Sequence, residues 1–216
     1  MSILVFANGE LGPARWAEVY LETATAIIAA DGGVHHILAL GRMPDVVIGD
    51  LDSIMPAVLD ELGAAAVEFV VYPKEKDASD LELALHYAAT KYNEEILILG
   101  SLGGRLDQLL ANVLMLTDPL LQNRKVRIVE AHQQAWVIDA NRSRIKGARG
   151  DLLSLLPLQG DVLVSSTKGL RWELKDEHLE FGKSRGVSNV MTTDSAQVEV
   201  GAGTLLCIHT DRRWKR

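Results

Sequence analysis

Residues 26–53 read AIIAADGGVHHILALGRMPDVVIGDLDS, and this stretch decides the class of fold. Two continuous apolar runs, Ala26–Ala30 and Val46–Gly49, lie on either side of a short helical segment. Such runs are typical of strands that are buried on both faces, as in a parallel sheet. The stretch therefore predicts a strand–helix–strand unit in which acidic residues follow each strand.

The same alternation continues on both sides of this unit. One amphipathic segment has apolar residues at helical spacing from Leu81 to Tyr92, and a second has them from Leu106 to Leu114. The further predicted strands are Ile3–Ala7, Val67–Tyr72, Glu95–Gly100 and Val126–Glu130. Regular alternation of strands and helices predicts an α/β fold with an open, mostly parallel sheet, flanking helices and right-handed crossovers.

The composition and periodicity of the sequence change after about residue 130. Short runs of Val, Leu, Ser and Thr are separated by glycines there, and no helical period is sustained. This pattern is typical of antiparallel strands in a small sandwich or barrel. We therefore predict two domains, an α/β domain over residues 1–132 and a smaller all-β domain over residues 133–216.

Composition excludes several classes of protein. The 216 residues are 48% hydrophobic and 24% charged, which is typical of a soluble globular chain and not of a disordered one. The net charge of −7 argues against non-specific nucleic-acid binding, and no apolar run approaches the roughly 18 residues of a membrane span. The N-terminal residues are expected to form a buried strand and not a signal peptide. The single cysteine, Cys207, excludes a disulfide framework and favours the reducing cytoplasm.

The acidic residues are unevenly distributed. The first 130 residues contain nine basic and nineteen acidic side chains, whereas residues 131–216 contain thirteen and ten. Many of the acidic ones follow the predicted strands, where ligands bind in open parallel sheets. Four strand ends carry them, in residues 31–33 (DGG), 49–53 (GDLDS), 73–80 (PKEKDASD) and 100–108 (GSLGGRLDQ). The sequence therefore predicts a concentration of carboxylates at one edge of the sheet.

Local structure alone explains part of this pattern. Asp31 is a suitable cap for the following helix, and Ser79 with Glu82 fits a capping box. Asp80 and Asp107 each lie in a first helical turn, where a carboxylate complements the helix dipole. The pair Asp50 and Asp52 resists such an explanation, because two adjacent carboxylates with no neighbouring cation repel each other.

A divalent cation bridging Asp50 and Asp52 removes that repulsion. Oxygen ligands favour Mg²⁺ or Mn²⁺ over zinc, and such sites commonly borrow further ligands from substrate phosphates. Gly32, Gly33, Gly103 and Gly104 lie where backbone N–H groups approach an anion. Arg105 is a candidate phosphate ligand; the loop lysines, Lys74 and Lys76, are also available but are usually solvated. The sequence thus predicts a metal and phosphate site.

The ordered set of motifs resembles the thiamine pyrophosphokinase family. It comprises DGG at 31–33, PD at 44–45 before IGDLDS at 48–53, KDASD at 76–80 and GGRLD at 103–107, with TKGLRW at 167–172 and GVSN at 186–189 in the second part. The resemblance implies an α/β catalytic domain that binds ATP and Mg²⁺, a β domain that binds thiamine, and a homodimer with thiamine sites between subunits. It also implies ATP-dependent transfer of a pyrophosphoryl group to the thiamine hydroxyl, giving thiamine diphosphate and AMP.

The resemblance also assigns roles to individual residues. Asp50, Asp52 and Asp77 match the magnesium carboxylates, and Asp31, Asp80, Arg105 and Asp107 match nucleotide-side and catalytic positions. Gln108 stands beside them on the ATP side, and the glycines of both loops belong to the same side. Trp172, Ser188 and Asn189 match the segment that contacts thiamine. Either Asp77 or Asp80 is a candidate to accept the hydroxyl proton, and the sequence does not choose between them.

Two other classes of function fit part of the pattern. Another metal-dependent phosphotransferase or nucleotide hydrolase would use the same sheet edge but would not need Trp172. By residue type alone, a core tryptophan of the β domain is the favoured interpretation of Trp172, and the family resemblance reverses that order. A dimeric ligand-binding sensor would use the carboxylates only to hold a metal. The retention of Asp50, Asp52, Asp77 and Asp107 together favours the enzyme.

Overall fold

The computed structural model describes residues 1–12, 14–139 and 142–212. The chain forms two compact units, Met1–Ala131 and His132–Arg216. No helix in the described part of the chain is long and apolar enough to cross a membrane.

The first unit contains a six-stranded parallel sheet. The strands are β1 Ser2–Phe6, β2 Ala24–Ala30, β3 Val46–Gly49, β4 Glu68–Val71, β5 Glu95–Leu99 and β6 Val126–Val129. Their order across the sheet is β6-β5-β1-β2-β3-β4, and every neighbouring pair is parallel. The strand order reverses at β1, which pairs with β2 on one edge and with β5 on the other. This arrangement confirms the predicted mostly parallel α/β sheet.

Helices connect the strands of this sheet. They are α1 Glu18–Leu21, α2 Val34–Ala39, α3 Pro56–Ala64, α4 Asp80–Lys91 and α5 Leu106–Leu114, with short 3-10 segments at Ala14–Ala17, Asp31–Gly33, Met115–Thr117 and Pro119–Leu121. Helix α4 begins at the predicted cap, since the Ser79 hydroxyl accepts a hydrogen bond from the Glu82 N–H at 3.2 Å. Its apolar face is buried through Leu81, Leu85 and Ala88.

Helix α5 differs from α4 in the use of its apolar face. The predicted helix is present, but none of its residues is buried. Leu106, Leu110 and Leu114 lie one turn apart and are each more than half exposed. Helical periodicity therefore identified the helix correctly, although it does not specify which surface covers the apolar face.

The second unit is a two-layer antiparallel β domain. Its strands are β7 Gln133–Ile138, β8 Arg142–Lys146, β9 Leu152–Pro157, β10 Val162–Lys168, β11 Lys175–Leu179, β12 Asn189–Val190, β13 Ser195–Ala202 and β14 Leu205–Thr210. They form one layer in the order β12-β9-β14-β7 and another in the order β11-β10-β13-β8. Residues from both layers, including Leu155 and Val198, belong to one apolar core. This confirms the all-β prediction, and of the two predicted forms the layers correspond to a sandwich.

Cys207 belongs to this second core and is fully buried. Burial in apolar surroundings raises the pKa of its thiol, because the thiolate loses its hydration there. The residue therefore acts as a small apolar side chain, as its sequence context suggested.

Candidate active site at the carboxyl edge of the parallel sheet

Three carboxylates meet where β2 and β3 end. Oxygen atoms of Asp31, Asp50 and Asp52 lie within 4.8 Å of one another. Asp31 directly follows β2, while Asp50 and Asp52 directly follow β3, which pairs with β2. The rule that ligand groups gather at the carboxyl ends of parallel strands thus accounts for the cluster.

The backbone around these carboxylates adopts uncommon conformations. Asp31 and Leu51 have positive φ angles of 43° and 64°, although neither is glycine. Such conformations cost free energy and occur mainly where the surrounding structure requires them, often at functional sites. Leu51 packs against the core cluster of the first unit, so that this turn anchors an apolar side chain between two carboxylates.

Gly49 permits the close approach of the neighbouring carboxylates. A Cβ atom at this position would lie 2.9 Å from the Asp31 Cβ and 3.0 Å from an Asp80 oxygen. Any larger residue would therefore push Asp31 or Asp80 away from the end of β3. Gly49 was not among the site residues that we predicted, because only the folded structure brings Asp80 against it.

Asp31 is the most deeply placed of these acids, with 8% of its surface exposed. Its Oδ2 accepts a hydrogen bond from the Ser53 hydroxyl, whereas its Oδ1 is buried and has no hydrogen-bond partner within the described residues. A buried carboxylate oxygen without a partner is costly unless a ligand satisfies it. Ser53 therefore positions one oxygen of Asp31 and leaves the other available.

Asp50 and Asp80 share a lysine. The Lys76 ammonium lies 3.5 Å from Asp50 Oδ2 and 3.0 Å from Asp80 Oδ1. A hydrogen bond from the Asp52 N–H, at 3.1 Å from Asp50 Oδ1, lowers the pKa of Asp50, and Lys76 adds to this effect. Burial raises the pKa of Asp80, and the adjacent Asp31 and Asp50 raise it further, against the effect of Lys76. The two acids therefore differ in proton affinity although they contact the same cation.

Asp52 and Asp77 are the exposed carboxylates among the predicted metal ligands. Asp52 is exposed and forms an ion pair with Lys74, whose side chain is 77% exposed. Asp77 is exposed, and the described contacts include no hydrogen bond or ion pair from its carboxylate. Of the carboxylates at the first three strand ends, the structure thus joins Asp31, Asp50, Asp52 and Asp80 by contacts.

The loop after β5 contributes a second group of residues. Gly103 and Gly104 have positive φ angles of 80° and 66°, and the Gly104 N–H donates to Glu10 Oε1 at 3.2 Å. Arg105 precedes α5 and forms an exposed ion pair with Asp107, with 2.6 Å between Nη2 and Oδ2. This pairing lowers the pKa of Asp107. Gln108 follows with an exposed side chain.

The glycines at 32 and 33 have packing roles. A Cβ at Gly33 would overlap the carbonyl oxygen of Phe6, and one at Gly32 would overlap the Asn8 side chain. His36 supports the same region, since its Nε2 donates to the Gly9 carbonyl at 2.8 Å. Long-range contacts of this kind, like those of Ser53 and Glu10, are invisible to motif analysis because they depend on the tertiary fold.

The predicted thiamine-side residues come together in the second unit. The Trp172 N–H donates to Asn189 Oδ1 at 3.1 Å, and Asn189 Nδ2 donates to the Trp172 carbonyl at 2.7 Å. Ser188 has a positive φ of 60°, and its N–H donates to Ser154 Oγ at 3.0 Å. Asn189 thus fixes the backbone of Trp172 through both ends of its amide.

Trp172 presents its ring to the surface. The residue is 57% exposed, and the Arg171 guanidinium carbon lies 5.2 Å from the ring centroid. The alternative of a core tryptophan is therefore wrong. An exposed, backbone-anchored indole that already attracts a cation can act as a stacking platform.

A parallel sheet with clustered carboxylates and glycine loops at its carboxyl edge, followed by a β domain, defines an enzyme of phosphoryl chemistry. Residues 17–129 match the family model described as thiamin pyrophosphokinase, catalytic domain. Residues 138–205 match the model described as thiamin pyrophosphokinase, vitamin B1 binding domain. The chain belongs to the thiamin pyrophosphokinase family, which confirms the resemblance drawn from the ordered motifs.

Individual relatives agree with this assignment. The thiamine pyrophosphokinase of Bacillus subtilis is 28% identical over 192 residues, which span 88% of this chain and 90% of the relative. The crystal structure of that enzyme has a TM-score of 0.87 and 27% identity, covering 98% of this chain and all of the other. The thiamin pyrophosphokinase of Geobacillus thermodenitrificans has a TM-score of 0.84 and 25% identity, covering 98% of each chain. The predicted enzyme class and transferase activity are thereby confirmed.

Proposed function

We propose that the chain transfers the pyrophosphoryl group of ATP to the hydroxyl group of thiamine, giving thiamine diphosphate and AMP, in a reaction that depends on Mg²⁺. The observation that carries this proposal is the meeting of Asp31, Asp50 and Asp52 within 4.8 Å at the carboxyl edge of the sheet. This edge lies inside the region that matches the catalytic domain of the family.

The donor set at this edge fits Mg²⁺. All the candidate ligands are carboxylate oxygens, which the hard cation prefers, and Asp31 offers a buried oxygen with no partner among the described residues. We assign Asp50, Asp52 and Asp31 to the cation, with Asp77 as a further ligand on the basis of the resemblance alone. When bound there, Mg²⁺ neutralises charge on the phosphoryl oxygens.

Protein groups supply the remaining chemistry. Between Asp77 and Asp80, we favour Asp80 as the acceptor of the thiamine hydroxyl proton, because burial raises its pKa and it lies beside Asp50. The loop containing Gly103, Gly104 and Arg105 faces the nucleotide, together with Asp107 and Gln108. In this assignment Arg105 exchanges its exposed pairing with Asp107 for a phosphate oxygen, which costs little because exposed ion pairs are weak.

Thiamine recognition is assigned to the second unit. Thiamine carries a cationic thiazolium ring, and the exposed indole of Trp172 offers a face for stacking and cation–π attraction. Asn189 holds the backbone of Trp172, while the neighbouring Ser188 is fixed by its N–H bond to Ser154. The match of residues 138–205 to a vitamin B1 binding domain supports this assignment.

Two further properties belong to the proposal. A homodimer is supported by the apolar face of α5, which the described chain leaves exposed at Leu106, Leu110 and Leu114. A cytoplasmic location is supported by the single, buried and unpaired Cys207.

The reaction is tested by measuring AMP. The purified protein should form AMP and thiamine diphosphate from ATP only when thiamine and Mg²⁺ are both present, and chelation of the metal should stop the reaction. Formation of ADP instead, or AMP release that is indifferent to thiamine, would contradict the proposal. Asp50→Asn should lower the turnover by about 100-fold or more, because a metal carboxylate is lost.

The role of Trp172 is tested by Trp172→Ala. We expect the KM for thiamine to rise by about 3- to 30-fold, the equivalent of roughly 0.7–2 kcal/mol, while the KM for ATP stays the same. Phe181→Ala is the matched control, since Phe181 is an aromatic residue of the same unit with a similar exposure of 58%. An equal effect of both substitutions would remove Trp172 from the site.

A further inference from the structure

Lys76 occupies an unusual position for a loop lysine. Its side chain is only 14% exposed, and its ammonium group lies between Asp50 Oδ2 at 3.5 Å and Asp80 Oδ1 at 3.0 Å. Ordering a lysine side chain costs up to about 2 kcal/mol of conformational entropy, so most surface lysines remain mobile. Lys76 is instead enclosed at ion-pair distance from two carboxylates of this edge.

Lys74 provides an internal comparison. It belongs to the same loop and contacts another carboxylate of the same edge, Asp52, yet 77% of its side chain is exposed. Exposed ion pairs of that kind contribute little because water screens them. Across residues 1–12, 14–139 and 142–212, Lys76 is the only basic group at ion-pair distance from Asp50 or Asp80.

The ammonium group contacts Asp50, a carboxylate that a metal cation at this edge would also need. Asp50 belongs to the cluster of oxygens that could hold a divalent ion, and its Oδ2 faces Lys76. Two cations cannot contact one carboxylate oxygen at close range without repelling each other. Lys76 lies in the loop before the first residue of α4, four residues from Asp80, and so is not itself part of the helix.

We propose that Lys76 is the counter-cation of the metal-free site, that it gives up Asp50 when a divalent cation binds there, and that its ammonium group then contacts a phosphate oxygen of the nucleotide. This inference rests on the proposed function, because it assumes a cation and a nucleotide at the same edge. It assigns one residue two successive partners. In the resting protein, Lys76 offsets the repulsion between Asp50 and Asp80; with both ligands bound, it adds positive charge beside the transferred group.

The proposal makes two effects of Lys76→Met opposite in sign. Without its competitor, a metal ion should bind more tightly in the absence of nucleotide. We expect the dissociation constant for Mn²⁺, measured by the electron paramagnetic resonance signal of the free ion, to fall by about 5-fold. Without its phosphate contact, the KM for ATP should rise by about 10-fold. The metal-free variant should also melt at a lower temperature and gain more from added Mn²⁺ than the wild type does.

Two companion variants sharpen the test. Lys74→Met should change the Mn²⁺ dissociation constant by less than about 2-fold, because the Lys74 ion pair is exposed. Lys76→Gln retains hydrogen-bonding capacity without charge, and it should show the same two effects if Lys76→Met does not fold without metal.

The outcomes separate this inference from the proposed function. If the wild type forms AMP from ATP and thiamine but neither Lys76 variant binds Mn²⁺ more tightly, the role of Lys76 is refuted and the function stands. If Mn²⁺ binds more tightly while the KM for ATP is unchanged, the phosphate contact is refuted. If the wild type forms no AMP, the function itself fails, whatever the Mn²⁺ titration gives.

Discussion

At the scale of single residues, the first unit contains an acid that the proposed reaction does not use. Glu130 follows β6, and its Oε1 is buried with no hydrogen-bond partner among the described residues. Burial raises the pKa of Glu130 to about 7, and a backbone hydrogen bond from Ala131 offsets only part of this effect. Ionisation of the carboxyl group in this buried position therefore opposes folding.

This acid makes the stability of the protein depend on pH. Because the pKa of Glu130 is raised in the folded state, the protonated acid contributes to the free energy of unfolding. This contribution is complete below the unfolded pKa of about 4.3 and is lost as the pH rises through the folded pKa of about 7. Glu130→Gln should therefore increase the free energy of unfolding at pH 8, by on the order of 1 kcal/mol after allowance for solvent screening. Urea unfolding at pH 5 should give a much smaller difference between the two proteins.

A suitable control is Glu22→Gln, since Glu22 is exposed. The difference in the free energy of unfolding between this variant and the wild type should be the same at pH 5 and at pH 8. If Glu130→Gln stabilised the protein equally at both values, burial of the charged form would not be the cause.

Gly33 tests a different physical effect, the close approach of two backbone segments. Gly33→Ala should destabilise the protein by about 3 kcal/mol or more, because its Cβ would overlap the Phe6 carbonyl and neither segment is free to move. Gly63→Ala should instead stabilise by about 0.5–1 kcal/mol, because Gly63 lies inside α3 with open space around it. Thermal or urea unfolding measures both, and equal effects of the two substitutions would contradict this account.

At the scale of elements, helix α5 has an apolar face that no other described part of the chain covers. Its apolar face holds Leu106, Leu110 and Leu114 in water, and a contiguous exposed apolar face is typical of an interaction surface. In the proposed homodimer, this face supplies part of the subunit contact.

Leu110→Lys should therefore dissociate the dimer. The substitution places a charge at the centre of the face, and sedimentation velocity should show a shift to the monomer mass at micromolar protein concentrations. The stability of the monomer should change by less than about 0.5 kcal/mol, since Leu110 is 53% exposed. Val19→Lys, on the exposed side of α1, is the control and should leave the association state unchanged. A Leu110→Lys variant that remained dimeric would exclude α5 from the interface.

The capping of α4 illustrates what sequence can predict at this scale. Ser79 and Glu82 are three residues apart, so the hydrogen bond between them follows from local geometry. The burial of Leu81 and Leu85 follows equally from their helical spacing. The exposure of Leu110 could not be predicted in this way, because periodicity describes the helix and carries no information about its partner.

At the scale of the whole molecule, the order of apolar runs was sufficient to predict the sheet. Buried parallel strands must be apolar on both faces, so β3 was predicted at its exact bounds and β1 within one residue at each end. The strand-end rule then predicted Asp31 and Asp50 as neighbours. Contacts between distant parts of the chain could not be predicted from local sequence patterns. The burial of Lys76 and the hydrogen bond from Gly104 to Glu10 are two examples.

The position of β1 between β2 and β5 has a consequence for the synthesis of the chain. Strand β2 is complete at residue 30, whereas β5 begins only at residue 95. At the usual rate of roughly 5–20 residues per second, several seconds separate the two events on the ribosome. During that interval the nascent chain carries an unpaired strand edge whose five residues are all buried in the finished protein. We therefore expect any chaperone that binds exposed strand edges to act on the nascent chain in this interval, before the site has all of its strands.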